Sequence, residues 1–325
     1  MKNFLPGYFQ QAPFTIQVEP TEGCNLGCTF CGLQGMKHNG KTPWNFMTLE
    51  TAERIASEIS RVGWNSKIVF ALHGEPTLNK NFLEIVKIFR KALPHNVFHI
   101  YTNGCKFNRV SDTDAYTRSI FEAGVDNIVV DCYSDNGDWR FVEKLSEEMK
   151  TLIVRYGKGI SLHTSSRNEK RILLLPPIQV DRNNKSTRRL ANHSGAAFPL
   201  DDSFNNKRCT MPFRELCFRW DGSVALCCDD FRGRYPIANI HDLKIEEIWN
   251  HPRFQAARIM LYSYSREFAP CKGCTNVSMR VGFLPDSSGQ DSMPKPTKEI
   301  IAYAESVTRL NEPLADFIVK RDWEK

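Results

Sequence analysis

Glu22-Gly23-Cys24-Asn25-Leu26-Gly27-Cys28-Thr29-Phe30-Cys31-Gly32 places three cysteines at CxxxCxxC spacing directly after Phe14 to Val18, a short apolar run of strand type. Three thiolates converging from one loop suit an iron-sulfur cube, and three ligands for four irons leave one iron open to bind something else. A zinc loop fits less well, because zinc sites usually pair their cysteines as CxxC and close with four ligands. Loops that leave the C-terminal ends of parallel strands carry the catalytic groups of barrel enzymes. A cysteine loop in that position directs the reading toward repeated βα units.

The rest of the first half supplies them. Lys67 to Leu72, Val97 to Thr102 and Asn127 to Cys132 are the next apolar runs, with helix-like stretches between. Ala52, Ile55, Ala56, Ile59 and Val62 recur at helical spacing after Thr48, a ready N-cap; Phe82, Ile85, Val86 and Phe89 do so after Asn81, with Pro94 as the stop. Ser111 with Asp114 opens a third helix that Gly124 closes, and Phe141 to Tyr156 reads as a fourth. Arg171 to Val180 reads as one more buried strand and the basic stretch Asp181 to Leu190 as loop or short helix. This alternation predicts an α/β fold, an incomplete (β/α) TIM-like barrel of five or six strands over residues 1–200. Polar residues from Asp201 to Lys207, then renewed cysteines from Cys209, predict a small second domain over 201–280. The Ser, Gly and Pro residues between Asp286 and Lys298 make 281–325 a linker and C-terminal helical tail.

At 325 residues the chain is well above the size at which a core is hard to build, so its 11 cysteines are not needed as a disulfide framework. The opening MKNFLPGYFQQ has neither an h-region nor a cleavage site. No apolar run approaches the ~18 residues of a membrane span. Together these point to a cytoplasmic, reducing location, where clustered cysteines more often bind metal. Lys and Arg number 43 against 37 acidic residues, a net +6 that permits an anionic substrate without demanding one and does not favour dedicated nucleic-acid binding.

The cysteine loop resembles the signature of the radical S-adenosylmethionine (radical SAM) superfamily, in which an aromatic residue, here Phe30, precedes the last cysteine. Loops at the other predicted strand ends extend the likeness. His73-Gly74-Glu75-Pro76 is similar to the family's GGEP-type motif, with His73 in place of the first glycine. The resemblance implies that Gly74, Glu75 and Pro76 lie where the methionine amino group of SAM binds, and a carboxylate partner for an ammonium is physically reasonable. A Gly-Glu-Pro turn that merely closes a βα unit is the other reading. Tyr101-Thr102-Asn103-Gly104 resembles the TNG-type element, which implies Thr102 and Asn103 beside the cofactor. Asp131, Tyr133 and Ser134 follow the fourth strand, within reach of ribose or substrate. Arg188 and Arg189, with Asn192 and His193 nearby, lie where related enzymes run into their second domain. Arg189 would there bind the carboxylate of SAM or an anionic substrate, or else belong to a solvated linker.

Cys209 and Cys227 flank Trp220-Asp221-Gly222, and the CxxC of Cys271 and Cys274 follows Trp249. Phe218 to Trp220 and Val224 to Leu226 read as hairpin arms around Asp221-Gly222, a turn that lets cysteines from both sides meet the CxxC. The run CTMPFRELCFRWDGSVALCC, then IEEIW and PCKGC, resembles SPASM-type auxiliary-cluster domains. It is shortened, because nothing after Cys274 is a cysteine, and so matches the twitch type with one auxiliary [4Fe-4S] cluster. The resemblance implies Cys209, Cys227, Cys271 and Cys274 as its ligands; tetrahedral zinc on the same four is the alternative. Cys217, Cys228, Cys105 and Cys132 are surplus and read as small buried hydrophobes. Asp229 and Asp230, with Tyr133, are candidates for substrate contact or for a catalytic base.

The resemblance implies two [4Fe-4S] clusters. One passes an electron into SAM, giving methionine and a 5′-deoxyadenosyl radical that abstracts hydrogen from a substrate carbon. The twitch likeness points to dehydrogenation of a small molecule such as a sugar or amino sugar, with the second cluster taking up the electron left behind. Maturation of a ribosomal peptide and modification of a nucleoside or nucleotide are the rival enzymatic readings, and Arg182, Lys185, Arg188 and Arg189 favour the latter slightly. A zinc-stabilised binding protein is the non-enzymatic one. An electron donor such as flavodoxin or ferredoxin is the expected partner, and no membrane is.

Overall fold

The computed structural model describes residues 12–33, 44–131, 139–155, 167, 169–176, 190–277 and 296–309. β1 (Thr15–Val18) buries Ile16 and Val18 completely while Thr15 and Gln17 are half-buried on its other face. β2 (Thr21–Glu22) and β3 (Asn45–Phe46) form a short antiparallel ribbon at the start of the cysteine loop. α1 (Leu49–Val62) is capped as expected, the Thr48 hydroxyl accepting from the Thr51 N–H, and Gly63 takes the left-handed conformation that ends it. β4 (Lys67–Phe70), α2 (Phe82–Ala92) and β5 (Phe98–Thr102) follow, then α3 (Cys105–Arg109), α4 (Thr113–Ala123) and β6 (Asn127–Val130).

β1, β4, β5 and β6 run parallel and in register, so that Ile16 lies beside Ile68, Ile68 beside Phe98, and Ile100 beside Ile128. One face of this sheet packs on α1, α2 and α4. Phe70 anchors that layer, meeting Phe82, Phe89 and Phe98 edge-on at 5.4–6.0 Å between ring centroids. Such pairs contribute about 0.5–1.5 kcal/mol each beyond the area they bury. The opposite face is left for side chains of the sheet interior.

Three sequence expectations change. Phe141 to Tyr156 is not one helix: it divides into a single turn at Arg140–Lys144, α5 (Glu147–Lys150) and β7 (Ile153–Arg155). Ser146 starts a new helix by accepting from the Met149 N–H, and β-branched Ile153 and Val154 favour the extended strand that pairs beside β8 (Arg171–Leu174). β8 is shorter than Arg171 to Val180 because Pro176 brings no N–H to a ladder; residues from 177 lie outside the described set. α4 is capped by Asp112, whose carboxylate accepts from the Ala115 N–H at 2.9 Å, rather than opened by Ser111 with Asp114. Asp114 instead pairs with Arg118 and accepts from the Ser146 N–H.

After α6 (Met211–Arg214), β9 (Glu215–Phe218) turns through Asp221-Gly222 into β10 (Val224–Ala225), the expected hairpin. Gly222 supplies the positive φ of 80° the turn requires. β9 also pairs in parallel with β1, Glu215 beside Thr15 and Phe218 beside Val18. The sheet therefore has eight strands in the order β10-β9-β1-β4-β5-β6-β8-β7, and β10 and β7 do not meet. It is an open parallel α/β sheet, an incomplete barrel, whose first strand is flanked on its far side by the cysteine-bearing hairpin. α7 (Ile245–Trp249), α8 (Pro252–Tyr262) and α9 (Lys298–Arg309) complete the second half, α9 packing against α8. No described helix is long and apolar enough to cross a membrane.

Candidate active site

A cavity of 810 Å³ opens inside the partial barrel, lined by Cys24, Cys28 and Cys31 of the loop after β1 and by inward-facing residues of β1, β4, β5 and β9. The cysteine loop is seated by close packing. A Cβ on Gly74 would come within 2.0 Å of the Thr21 carbonyl and 2.5 Å of that of Gly23, so only glycine lets the turn after β4 lie against the entry to the loop. The Glu75 N–H closes the same contact by donating to the Gly23 carbonyl at 2.8 Å. At the other end, Gly32 lies flat on the Phe231 ring.

Glu75 is buried and both its oxygens are occupied. Oε1 accepts from the Thr77 N–H and from the hydroxyls of Thr77 and Thr102, while Oε2 accepts from the Asn103 N–H at 2.7 Å. Burial pushes its acidity toward the neutral form and these donors oppose that. Its carboxylate thus holds the TNG turn in place, and it faces the cavity beside Thr102 and Asn103. Asn103 reaches back to the loop, donating to Asn25 at 2.9 Å and to Cys24 Sγ at 3.5 Å. Phe30, Gly74 and Asp131 also line the cavity; Pro76 begins the buried turn behind Glu75. Tyr133, Ser134, Arg188 and Arg189 lie outside the described residues.

The four cysteines of the second group lie in the interior of the second half of the fold. Cys209, Cys227, Cys271 and Cys274 are all buried, and negative charge on one raises the pKa of another, as Cys274 does for Cys209 and Cys271. Burial pushes Cys209 up to about 11 and Cys24 likewise, with Cys28 up to about 12, so without metal these are neutral thiols. Thiols become ligands by losing that proton to a metal. Among the described residues no three His, Cys, Asp or Glu side chains close around the volume of a single ion. A cube, with a separate iron for each sulfur, does not need them to. Both donor sets fit [4Fe-4S] clusters: three half-buried cysteines facing a cavity, and four buried ones enclosed by the fold.

Asp229 and Asp230 separate cleanly. Asp230 is buried and braces its own turn, accepting from the N–H groups of Arg234 and Tyr235 at 2.9 and 3.2 Å. Asp229 lines the cavity. Asn276 donates to its Oδ2, and its Oδ1 lies 3.9 Å from His193 Nε2. His193 was singled out only as a neighbour of the arginines, yet it is central. Its Nδ1 accepts from the Gly32 N–H at 3.0 Å, so in the neutral ring the proton sits on Nε2, toward Asp229. Burial lowers its pKa, against the pull of Asp229. Phe231 lies between His193, on which it stacks at 4.6 Å, and His73, tilted against it at 4.2 Å. His73 lines the cavity as well, its Nδ1 3.2 Å from Glu19 and its Nε2 3.1 Å from the Cys228 carbonyl.

Other residues at the site carry no local signature. Gln17 and Glu215 face the cavity from neighbouring strands, Gln17 Nε2 donating to Glu215 Oε2 at 2.7 Å, and the Cys228 N–H donates to Glu215 Oε1 at 3.1 Å. Inward-facing alternation flags Gln17 on β1, but nothing local says that β9 pairs with β1 and brings Glu215 opposite. Cys228 lines the cavity, whereas Cys217 is fully buried on β9.

Comparison with known proteins agrees with this geometry. A family profile described as the radical SAM superfamily matches residues 18–146, and one described as an iron-sulfur cluster-binding domain, SPASM, matches residues 209–275. The S-adenosyl-L-methionine-dependent 2-deoxy-scyllo-inosamine dehydrogenase of Niallia circulans is 23% identical over 269 residues, 82% of this chain and 94% of that protein. The crystal structure of BtrN in complex with AdoMet and 2-DOIA is similar in fold, with a TM-score of 0.65 at 21% identity, covering 84% of this chain and 97% of the other. An open conformation of BtrN gives 0.56 over 83% and 95%. Two cysteine constellations on an open parallel sheet, each covered by its own profile, place the chain among the radical SAM enzymes that carry a SPASM-type iron-sulfur domain.

Proposed function

We propose that this enzyme dehydrogenates an alcohol carbon of a small amine-bearing polyol, such as an aminocyclitol or amino sugar. The observation that carries the reading is the composition of the cavity: carboxylates from two different elements, Asp229 and Glu215, face the space bounded by Cys24, Cys28 and Cys31. In this reading those three cysteines hold the cluster that binds SAM, and Cys209, Cys227, Cys271 and Cys274 hold the auxiliary cluster. Bound there, cluster and SAM supply a radical able to abstract hydrogen from carbon.

The chain's own groups would do the remainder. Oxidising an alcohol carbon to a ketone removes a hydrogen atom, the hydroxyl proton and one further electron, for which a cluster held by Cys209, Cys227, Cys271 and Cys274 would be the acceptor. Asp229 Oδ1 is placed to receive the proton, with Asn276 fixing the other oxygen and His193 Nε2–H steadying the charge. Glu215, buried, held by Gln17 and by the Cys228 N–H, has no ion-pair partner among the described residues, which suits it to an ammonium arriving with the substrate. Glu75, Thr102 and Asn103 hold the turn beside SAM. Support also comes from the relative named as acting on 2-deoxy-scyllo-inosamine. A flavodoxin or ferredoxin would provide the reducing electron.

The test is anaerobic incubation of the reconstituted enzyme with SAM, a reductant and 2-deoxy-scyllo-inosamine or related aminocyclitols. Formation of the ketone with 5′-deoxyadenosine supports the proposal. No ketone from any amine-bearing polyol, with turnover of a peptide or nucleotide instead, would overturn it.

A further inference from the structure

Arg266 is 1% exposed, yet among the described residues no carboxylate lies within salt-bridge distance of it. Its hydrogen bonds go to backbone carbonyls: Nε to Lys207 at 2.7 Å, Nη1 to Cys274 at 2.7 Å, and Nη2 to Arg208 at 2.9 Å and Asn276 at 2.8 Å. These four carbonyls belong to two segments. Lys207 and Arg208 lead into Cys209, and Cys274 and Asn276 end the CxxC. The guanidinium therefore clamps the two stretches that carry three of the four buried cysteines.

Carbonyl dipoles satisfy its N–H groups but do not cancel its charge. An unpaired charge in a protein interior costs several kcal/mol. Among the described residues the other fully buried arginine, Arg258, sits between aromatic faces, 3.9 Å from the Trp249 ring centroid and 4.1 Å from that of Phe254. Arg266 has cysteines in that place. Its Nη1 donates to the carbonyl of Cys274, itself one of those cysteines, at 2.7 Å.

We propose that Arg266 is the built-in countercharge of the auxiliary cluster, a positioning residue that raises the cluster's reduction potential and so favours its taking an electron. This rests on the assignment of Cys209, Cys227, Cys271 and Cys274 as ligands. Four thiolates around a [4Fe-4S] core leave a net negative assembly, and adding one electron makes it more negative. A fixed cation stabilises the reduced form more than the oxidised one. Net charge and hydrogen bonding near the sulfurs are among the factors that set such potentials.

The test uses the full chain with Cys24, Cys28 and Cys31 changed to alanine, so that only the auxiliary cluster can load. Iron per chain and the midpoint potential, followed by electron paramagnetic resonance, are measured with Arg266 intact, as Arg266→Lys and as Arg266→Gln. If the parent takes up no iron, the ligand assignment fails, whatever Arg266 does. With the parent loaded, Arg266→Gln is expected to load and to shift the one-electron equilibrium about tenfold toward the oxidised form, a fall of about 59 mV. Arg266→Lys, which keeps the charge but loses the fork, is expected to stay near the parent potential. A loaded Arg266→Gln at the parent potential overturns the proposal. If Arg266→Gln does not load, Arg266→Lys decides: parent potential supports the proposal, whereas a lowered potential or failure to load leaves only the clamp and overturns it.

Discussion

The Nδ1 atom of His193 accepts a hydrogen bond from the backbone N–H of Gly32 at 3.0 Å, tying the chain that enters the second cysteine region to the residue just past Cys31. One side chain thereby fixes the cysteine loop with one nitrogen and approaches Asp229 with the other. His193→Asn, whose amide oxygen can replace Nδ1 as acceptor, is expected to keep its iron while losing the Nε2 contact. Ketone formation should fall about tenfold or more, and an iron assay beside product analysis separates the two effects.

Asp229→Asn removes the proposed proton acceptor but leaves a side chain of the same shape. The loss of general-base catalysis is expected to lower ketone formation by about 10²–10⁴-fold. SAM binding should be unchanged, because Asp229 is on the hairpin side of the cavity rather than on the Glu75 and Asn103 side. Isothermal titration with SAM and product chromatography check the two halves of the prediction.

Gly32→Ala would bring a Cβ to 2.6 Å from Cγ of Phe231, which is held between two imidazoles and cannot step aside. Overpacking of this kind costs about 1–3 kcal/mol. Adding Phe231→Leu to Gly32→Ala should recover part of that loss, since the offending ring is gone. Unfolding midpoints of the two single variants and the double variant measure the coupling.

Hydrogen bonds from the Ser146 hydroxyl and N–H, with the Arg118 guanidinium, hold the Asp114 carboxyl down at about 2. Its folded value is thus below its unfolded one, and its contribution to stability is complete above about pH 5 and shrinks as pH falls toward 2. Asp114→Asn should be less stable than the parent near pH 7, with the gap closing on acidification. Chemical denaturation at several pH values reads this directly; a gap that widens toward low pH would contradict it.

Changing Cys24, Cys28 and Cys31 together to alanine should lower iron from about eight to about four per chain, and changing Cys209, Cys227, Cys271 and Cys274 should do the same. Retention of zinc by the parent at the second group would identify a structural metal site instead. Anaerobic reconstitution with iron, sulfide and zinc analysis distinguishes these results.

The cysteine loop, the strands up to Asn127, the Thr48 cap of the first helix and the hairpin around Asp221-Gly222 were legible because each is local: periodicity, a capping side chain or a tight turn suffices. The stretch from Phe141 to Tyr156 misled because Ile153 and Val154 suit a helix face as well as an edge strand, and only the presence of β8 beside them settles which. Asp229 and Asp230 are adjacent and chemically alike in sequence; backbone donors at Arg234 and Tyr235 claim one and the cavity takes the other. Glu215, His193 and Arg266 had no local signature. Their roles come from partners 198, 161 and up to 59 residues away in the chain: Gln17, Gly32 and Lys207. The sequence by itself determined the chemistry, since metal-ligating side chains at fixed spacing specify a cluster wherever the chain goes. The tertiary structure decided which carboxylate lines the cavity and which guanidinium binds the carbonyls around the second cysteine group, because burial and charge pairing depend on what long-range packing brings together.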